Sequence, residues 1–156
     1  GRADLPPGRP EAMAALTTPP ASDSRGDRIA AGLRIANALA SPGFKDTEED
    51  MRKDVEAAVD RAPFDPAGVA RQLLAIFAAP PRNGLLKTVK APTLVIHGAD
   101  DPILTIEGGK DTADSVPGAK LIVVPGMAHD FAKKLVPIYI QHISEFANSV
   151  ERAKAA

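Results

Sequence analysis

Ala91-Pro-Thr-Leu-Val-Ile-His-Gly-Ala-Asp-Asp-Pro102 and Ala119-Lys-Leu-Ile-Val-Val-Pro-Gly-Met-Ala-His129 decide how this chain folds. Each opens with a short apolar run, Thr93 to Ile96 or Leu121 to Val124, that glycine stops and a polar loop residue follows. Runs this short, hydrophobic on both faces, suit strands of a parallel sheet covered by helices. Thr105 to Val116 has the length of a crossover helix, so the unit reads as strand, helix, strand. In open parallel sheets the chemistry lies in loops beyond the carboxyl ends of the strands. Asp101 follows the first strand in this way and His129 follows the second.

Working outward, the segment before this unit reads as helical. Residues 1–21 are broken by Pro6-Pro7-Gly8, Pro10 and Pro19-Pro20, with one short helix expected over Glu11 to Leu16 and Pro10 suited to its first turn. Asp23 or Ser24 caps a second helix reaching about Ala40, which Ser41-Pro42-Gly43 ends. A third is expected from Asp46 or Thr47 to Arg61, with Glu48, Glu49 and Asp50 at its positive end. A fourth follows Asp65-Pro66, where aspartate is expected to cap and proline to take the first helical position, and presents Val69, Leu73, Ile76 and Phe77 on one face. No strand is expected between residues 8 and 80, so this half is a small helical unit able to act as a lid. Leu85, Leu86 and Val89 lead into the first strand. Beyond His129, Pro137 opens a last helix with an apolar stripe of Ile140, Ile143, Phe146, Ala147 and Val150.

Composition narrows the partners. The chain has 156 residues, 44% of them hydrophobic and 25% charged, as in an ordinary globular domain. A net charge of −1 argues against a nucleic-acid or membrane-surface partner. No apolar run approaches the roughly 20 residues that span a bilayer. The Pro- and Gly-rich start lacks a signal-peptide pattern, and the expectation is a soluble, cytoplasmic protein. With no cysteine there are no disulfides, thiolate catalysis or cysteine-held zinc. Two strands alone leave long edges unpaired, which is not independently stable. The sheet is therefore expected to be completed by polypeptide outside this sequence.

Aspartate after one strand and histidine after the next form the second half of a Ser…Asp…His order. Together with Ala91-Pro-Thr-Leu-Val-Ile-His-Gly98, Asp101-Pro102 and Val124-Pro-Gly-Met-Ala-His129, this resembles the last two core strands of the α/β-hydrolase superfamily. The opening Leu5-Pro-Pro-Gly-Arg-Pro-Glu-Ala-Met-Ala-Ala-Leu16 and the helices to Pro81 resemble the cap of such enzymes, in particular ester hydrolases similar to aclacinomycin methylesterase. The resemblance implies a cap over residues 1–83 and the carboxyl-terminal part of the core over 84–156. It implies that Asp101 orients His129, and that His129 serves as base and then acid in hydrolysis of a small-molecule carboxylic ester without a cofactor. Ser22, Ser24, Ser41, Ser115, Ser144 and Ser149 all lack the glycine of a Gly-x-Ser-x-Gly elbow. The nucleophile is therefore assigned to an amino-terminal half of the same hydrolase, outside this chain, and the chain alone is expected to be inactive.

Each residue also has a plainer reading. Asp-Asp-Pro is good turn chemistry, so Asp101 could be a turn former, and Asp100 is read as one. His129 could be merely exposed. Met127 and Phe131 flank it and are candidates for a substrate pocket, although such residues are more often packing. Phe44, Phe64 and Phe77 carry the same ambiguity. His97 is read as a ring beneath the acid loop and His142 as a helix-surface residue. No His-x-x-x-His pair or similar spacing points to a metal. Arg25-Gly26-Asp27, a cell-adhesion tripeptide, falls in a helix first turn by chance. A different class remains open: a partner-binding module that docks through its sheet edge, with Asp101 and His129 inert. So do other reactions of the same fold, perhydrolysis or C–C bond hydrolysis.

Overall fold

The structure, a computed structural model, describes residues 4–63 and 65–155; Phe64 lies outside the described residues. Helix α1 (Pro10–Thr17) carries its proline in the first turn, where a missing N–H costs nothing. Helix α2 (Arg25–Leu39) starts at Ser24, whose hydroxyl accepts the Asp27 N–H at 3.1 Å. Helix α3 (Glu48–Arg61) starts the same way, Thr47 Oγ1 accepting the Asp50 N–H at 3.1 Å. Each hydroxyl satisfies an N–H that the helix itself leaves open. Helix α4 (Pro66–Ala78) again has proline in its first turn, but Asp65 does not cap it. The carboxylate accepts from the Arg71 guanidinium at 3.1 Å instead.

The helical half gives way to the strand unit through a single turn, α5 (Asn83–Leu86). The Asn83 amide donates to Asp111 Oδ2 and Ser115 Oγ, both at 2.8 Å, fastening that turn to helix α6 (Ile106–Ser115). Strands β1 (Leu94–Gly98) and β2 (Lys120–Val124) flank α6 in sequence and pair in parallel, Leu94 opposite Lys120 through Gly98 opposite Val124. Strand β1 begins two residues after Pro92, which has no N–H for a ladder; the pairing opens with Lys120 N–H on the Thr93 carbonyl at 3.0 Å. A 3-10 turn at Lys133–Leu135 leads into α7 (Val136–Ala155).

The core sits at the carboxyl end of β2. Val124, Met127, Ala132 and Leu135 are buried there, with Phe44, Ile96, Ile122, Ile138 and Tyr139 packed around them. The apolar stripe expected to bury α7 does not do so: no residue of α7 is buried, and Ile140 and Ile143 are exposed. The reason is width. Two strands about 5 Å apart make a ribbon narrower than a helix about 10 Å across, too little surface to bury the stripe of α7; α6 packs on both strands. The expected face of α4 is likewise open, with Leu73 alone half-buried. Among the described residues the sheet has two strands, so neither outer edge is paired. Among the same residues no helix is long and apolar enough to cross a membrane.

Candidate active site

Asp101 stands on the turn that leaves β1. Its Oδ1 accepts the N–H groups of Ile103 at 2.8 Å and Leu104 at 2.9 Å, so the side chain does form its own turn. That leaves Oδ2 free to meet His129 Nδ1 at 2.8 Å. Turn former and histidine partner are thus one residue using two oxygens. The Asp101 side chain is 6% exposed and that of His129 is 39% exposed, so a buried carboxylate faces a ring open to solvent. With Nδ1–H donating to the carboxylate, a neutral imidazole keeps its lone pair on Nε2.

The two loops are laced together behind this pair. Asp100 Oδ2 accepts the Gly126 N–H at 2.8 Å, and the Asp100 N–H donates to the Met127 carbonyl at 3.0 Å. Asp100 is therefore a bridge between loops as well as a turn residue. Gly98 lets them approach: a Cβ there would lie 2.3 Å from the Met127 oxygen. Gly126 makes the turn toward His129 with φ of +77°, a region closed to most other residues. Beneath the acid loop, His97 Nε2–H donates to the Leu104 carbonyl at 2.8 Å, its ring against Gly109. The amino-terminal arm braces the same loop, Arg9 N–H donating to the Pro102 carbonyl at 2.7 Å.

Helices α2 and α3 and the histidine loop enclose a cleft of about 300 Å³, lined among others by Leu39, Met51, Val55, His129 and Phe131. Phe131 is thus on the cleft, its ring 5.7 Å from that of Tyr139. Met127 is not among the lining residues and packs in the core, its sulfur 3.6 Å from the Tyr139 hydroxyl. Burial, and secondarily Asp130, push the Tyr139 phenol above its usual range. Lys133 clamps the first turn of α3 to the region after His129, pairing with Asp50 at 2.7 Å. That contact raises the ammonium and lowers the carboxyl from their ordinary values. His142 lies away from the pair, with Glu145 as its neighbour on α7. Among the described residues no three potential metal ligands come together.

Two residues escape the sequence reading. Ser41, fully buried, accepts the Ala128 N–H on its hydroxyl at 2.8 Å. The same hydroxyl donates to Asp130 Oδ1, while the Ser41 N–H donates to Asp130 Oδ2 at 3.0 Å. In sequence Ser41 is only the start of a helix-ending Ser-Pro-Gly, and Asp130 only a polar residue after histidine.

No family model matches the chain. Among curated proteins it is 29% identical over 105 residues to a monoacylglycerol lipase of Mycolicibacterium smegmatis, covering 66% of this chain and 36% of the lipase. It is 42% identical over 45 residues to a bifunctional esterase/perhydrolase of Acinetobacter calcoaceticus, covering 28% and 16%. Among solved structures it superposes on a meta-cleavage product hydrolase of Pseudomonas fluorescens with a TM-score of 0.61 at 19% identity, covering 90% of this chain and 50% of the hydrolase. A thermophilic esterase of Thermogutta terrifontis gives 0.60 at 23%, covering 92% and 52%. A Rhodococcus esterase gives 0.58 at 20%, covering 88% and 46%. The chain spans about half the length of these structures and less of the curated relatives. Two parallel strands with flanking helices after a run of helices give the chain the fold of about half of an α/β-hydrolase, the share of those structures that it covers.

Proposed function

We propose that this chain supplies the acid and base of a Ser-His-Asp triad in a serine-type hydrolase of carboxylic esters. The observation that carries the reading is the 2.8 Å contact between Asp101 Oδ2 and His129 Nδ1 at the tips of neighbouring parallel strands. Held this way, His129 has Nε2 ready to take a proton from a serine hydroxyl, and Asp101 stabilises the imidazolium that results. The imidazolium then returns that proton to the departing alcohol, and the acyl group passes to the serine. A second cycle, with water in place of the serine, releases the acid. The serine and the oxyanion donors come from an amino-terminal half of the same hydrolase, which also adds strands to the open sheet edge. Residues 1–83 act as the cap, and the cleft beside His129 receives part of the substrate. The chemistry calls for no cofactor.

The test joins this chain to an upstream segment bearing Gly-x-Ser-x-Gly and compares short-chain ester turnover with that of the chain alone. The joined protein is expected to turn over, the chain alone not. In the joined protein His129→Ala lowers kcat by about 10⁴-fold or more, since one triad member removed disables the unit. Turnover by the chain alone, or a joined protein indifferent to His129, would sink the reading. A second reading keeps the triad and changes the bond cleaved. A meta-cleavage product hydrolase is among the superposable structures, so a meta-cleavage product belongs in the same assay.

A further inference from the structure

The loop carrying His129 is fastened to the end of α2 at three consecutive residues, and the fastening is centred on the histidine. The Ala128 N–H reaches the Ser41 hydroxyl at 2.8 Å, the His129 N–H reaches the Leu39 carbonyl at 3.2 Å, and the Asp130 carboxylate takes both the N–H and the hydroxyl of Ser41. We propose that Ser41 and Asp130 are positioning residues that hold His129 against Asp101, acting through the backbone on either side of it.

Four observations support this. The His129 ring is itself 39% exposed, so its orientation rests on the Asp101 contact and on where the backbone places the ring rather than on packing. Ser41 is fully buried and its hydroxyl is satisfied in both directions, accepting from Ala128 and donating to Asp130. Ala128 is buried too, so no water stands ready to replace a lost partner for its N–H. The Leu39 carbonyl belongs to the last turn of α2, where carbonyls lack helical partners, and the histidine N–H fills one. The helix end and the histidine loop thus complete each other, and a helix of the first half sets the base of the site.

A merely structural tie would alter stability and nothing else; a positioning role also moves the histidine. Uniform ¹⁵N labelling of histidine gives three side chains to resolve, His97, His129 and His142. In the joined protein, the hydrogen-bonded Nδ1 proton of His129 is expected as a sharp low-field resonance. Ser41→Ala should broaden or shift it while leaving His97 and His142 unchanged. Where the joined protein hydrolyses esters, Ser41→Ala should lower kcat by about 10- to 100-fold with KM within about twofold, as expected of a misplaced catalytic group. Asp130→Asn keeps the shape and can accept only one of the two Ser41 bonds, so it should act in the same direction. The double variant should be no worse than the poorer single, because the two residues form one unit. If Ser41→Ala does not fold, Asp130→Asn decides. An unchanged His129 resonance, or unchanged kcat with only a lower melting temperature, overturns the proposal. The kinetic arm rests on the hydrolase reading. If the parent protein shows no ester turnover, that reading fails and the resonance alone judges the role of Ser41.

Discussion

Helices α2 and α4 lie in the same half of the chain and fare oppositely. Helix α2 carries three arginines and an aspartate, yet it buries Ile29 and Ala31 and packs against both α1 and α3. Helix α4 is the more apolar, with Val69, Leu73, Leu74, Ile76 and Phe77 within 13 residues, and it buries none of them. Leu74 is 68% exposed and Phe77 76%. Apolarity creates the demand for burial; only a neighbour satisfies it. The neighbours of α2 are local helices and the histidine loop, all within this chain. An exposed patch such as that on α4 marks a surface for something else to cover.

If this contrast is right, the two helices should respond unequally to equally severe changes. The largest effect is expected at Ile29, where truncation to alanine leaves a cavity between packed helices and costs about 3 kcal/mol in urea unfolding. A smaller effect, about 2 kcal/mol, is expected for Gly98→Ala, which forces the Met127 carbonyl aside and loosens the two loops. Because that shift lies directly behind the Asp101–His129 pair, ester turnover of the joined protein should fall along with its stability. Least of all should come from Leu74→Ser or Phe77→Ser, each within about 0.5 kcal/mol in the chain by itself. A loss near that of Ile29 would mean that α4 is buried after all. The same two changes made in the joined protein sharpen the contrast: a cost appearing there identifies the upstream half as what covers α4.

Much of the local structure was legible. Pro10 and Pro66 opened helices, Ser24 and Thr47 capped them, and glycine closed both strands, because each of these acts within a few residues of itself. The acid and histidine could be nominated because loop position after a strand is a sequence property. Asp65 could not be read correctly: a cap and an arginine six residues on compete for one carboxylate, and rotamers settle the contest. Nor could Ser41, whose partners stand 87 and 89 residues away. The α7 stripe has helical spacing whether or not anything lies against it, so periodicity marked a face without supplying its cover.

By itself the amino-acid sequence determined the alternation of helix and strand, the parallel pairing implied by a helical crossover, and the order in which Asp101 and His129 follow their strands. These depend on turn chemistry, capping and hydrophobic spacing, which are short-range. Tertiary structure alone decided that Asp101 divides its two oxygens between its own turn and His129, that Ser41 reaches across to the histidine loop, and that α4 and α7 remain uncovered. Each of those outcomes depends on which distant groups arrive within about 3 Å of one another, the reach of a hydrogen bond, or on whether any arrive at all.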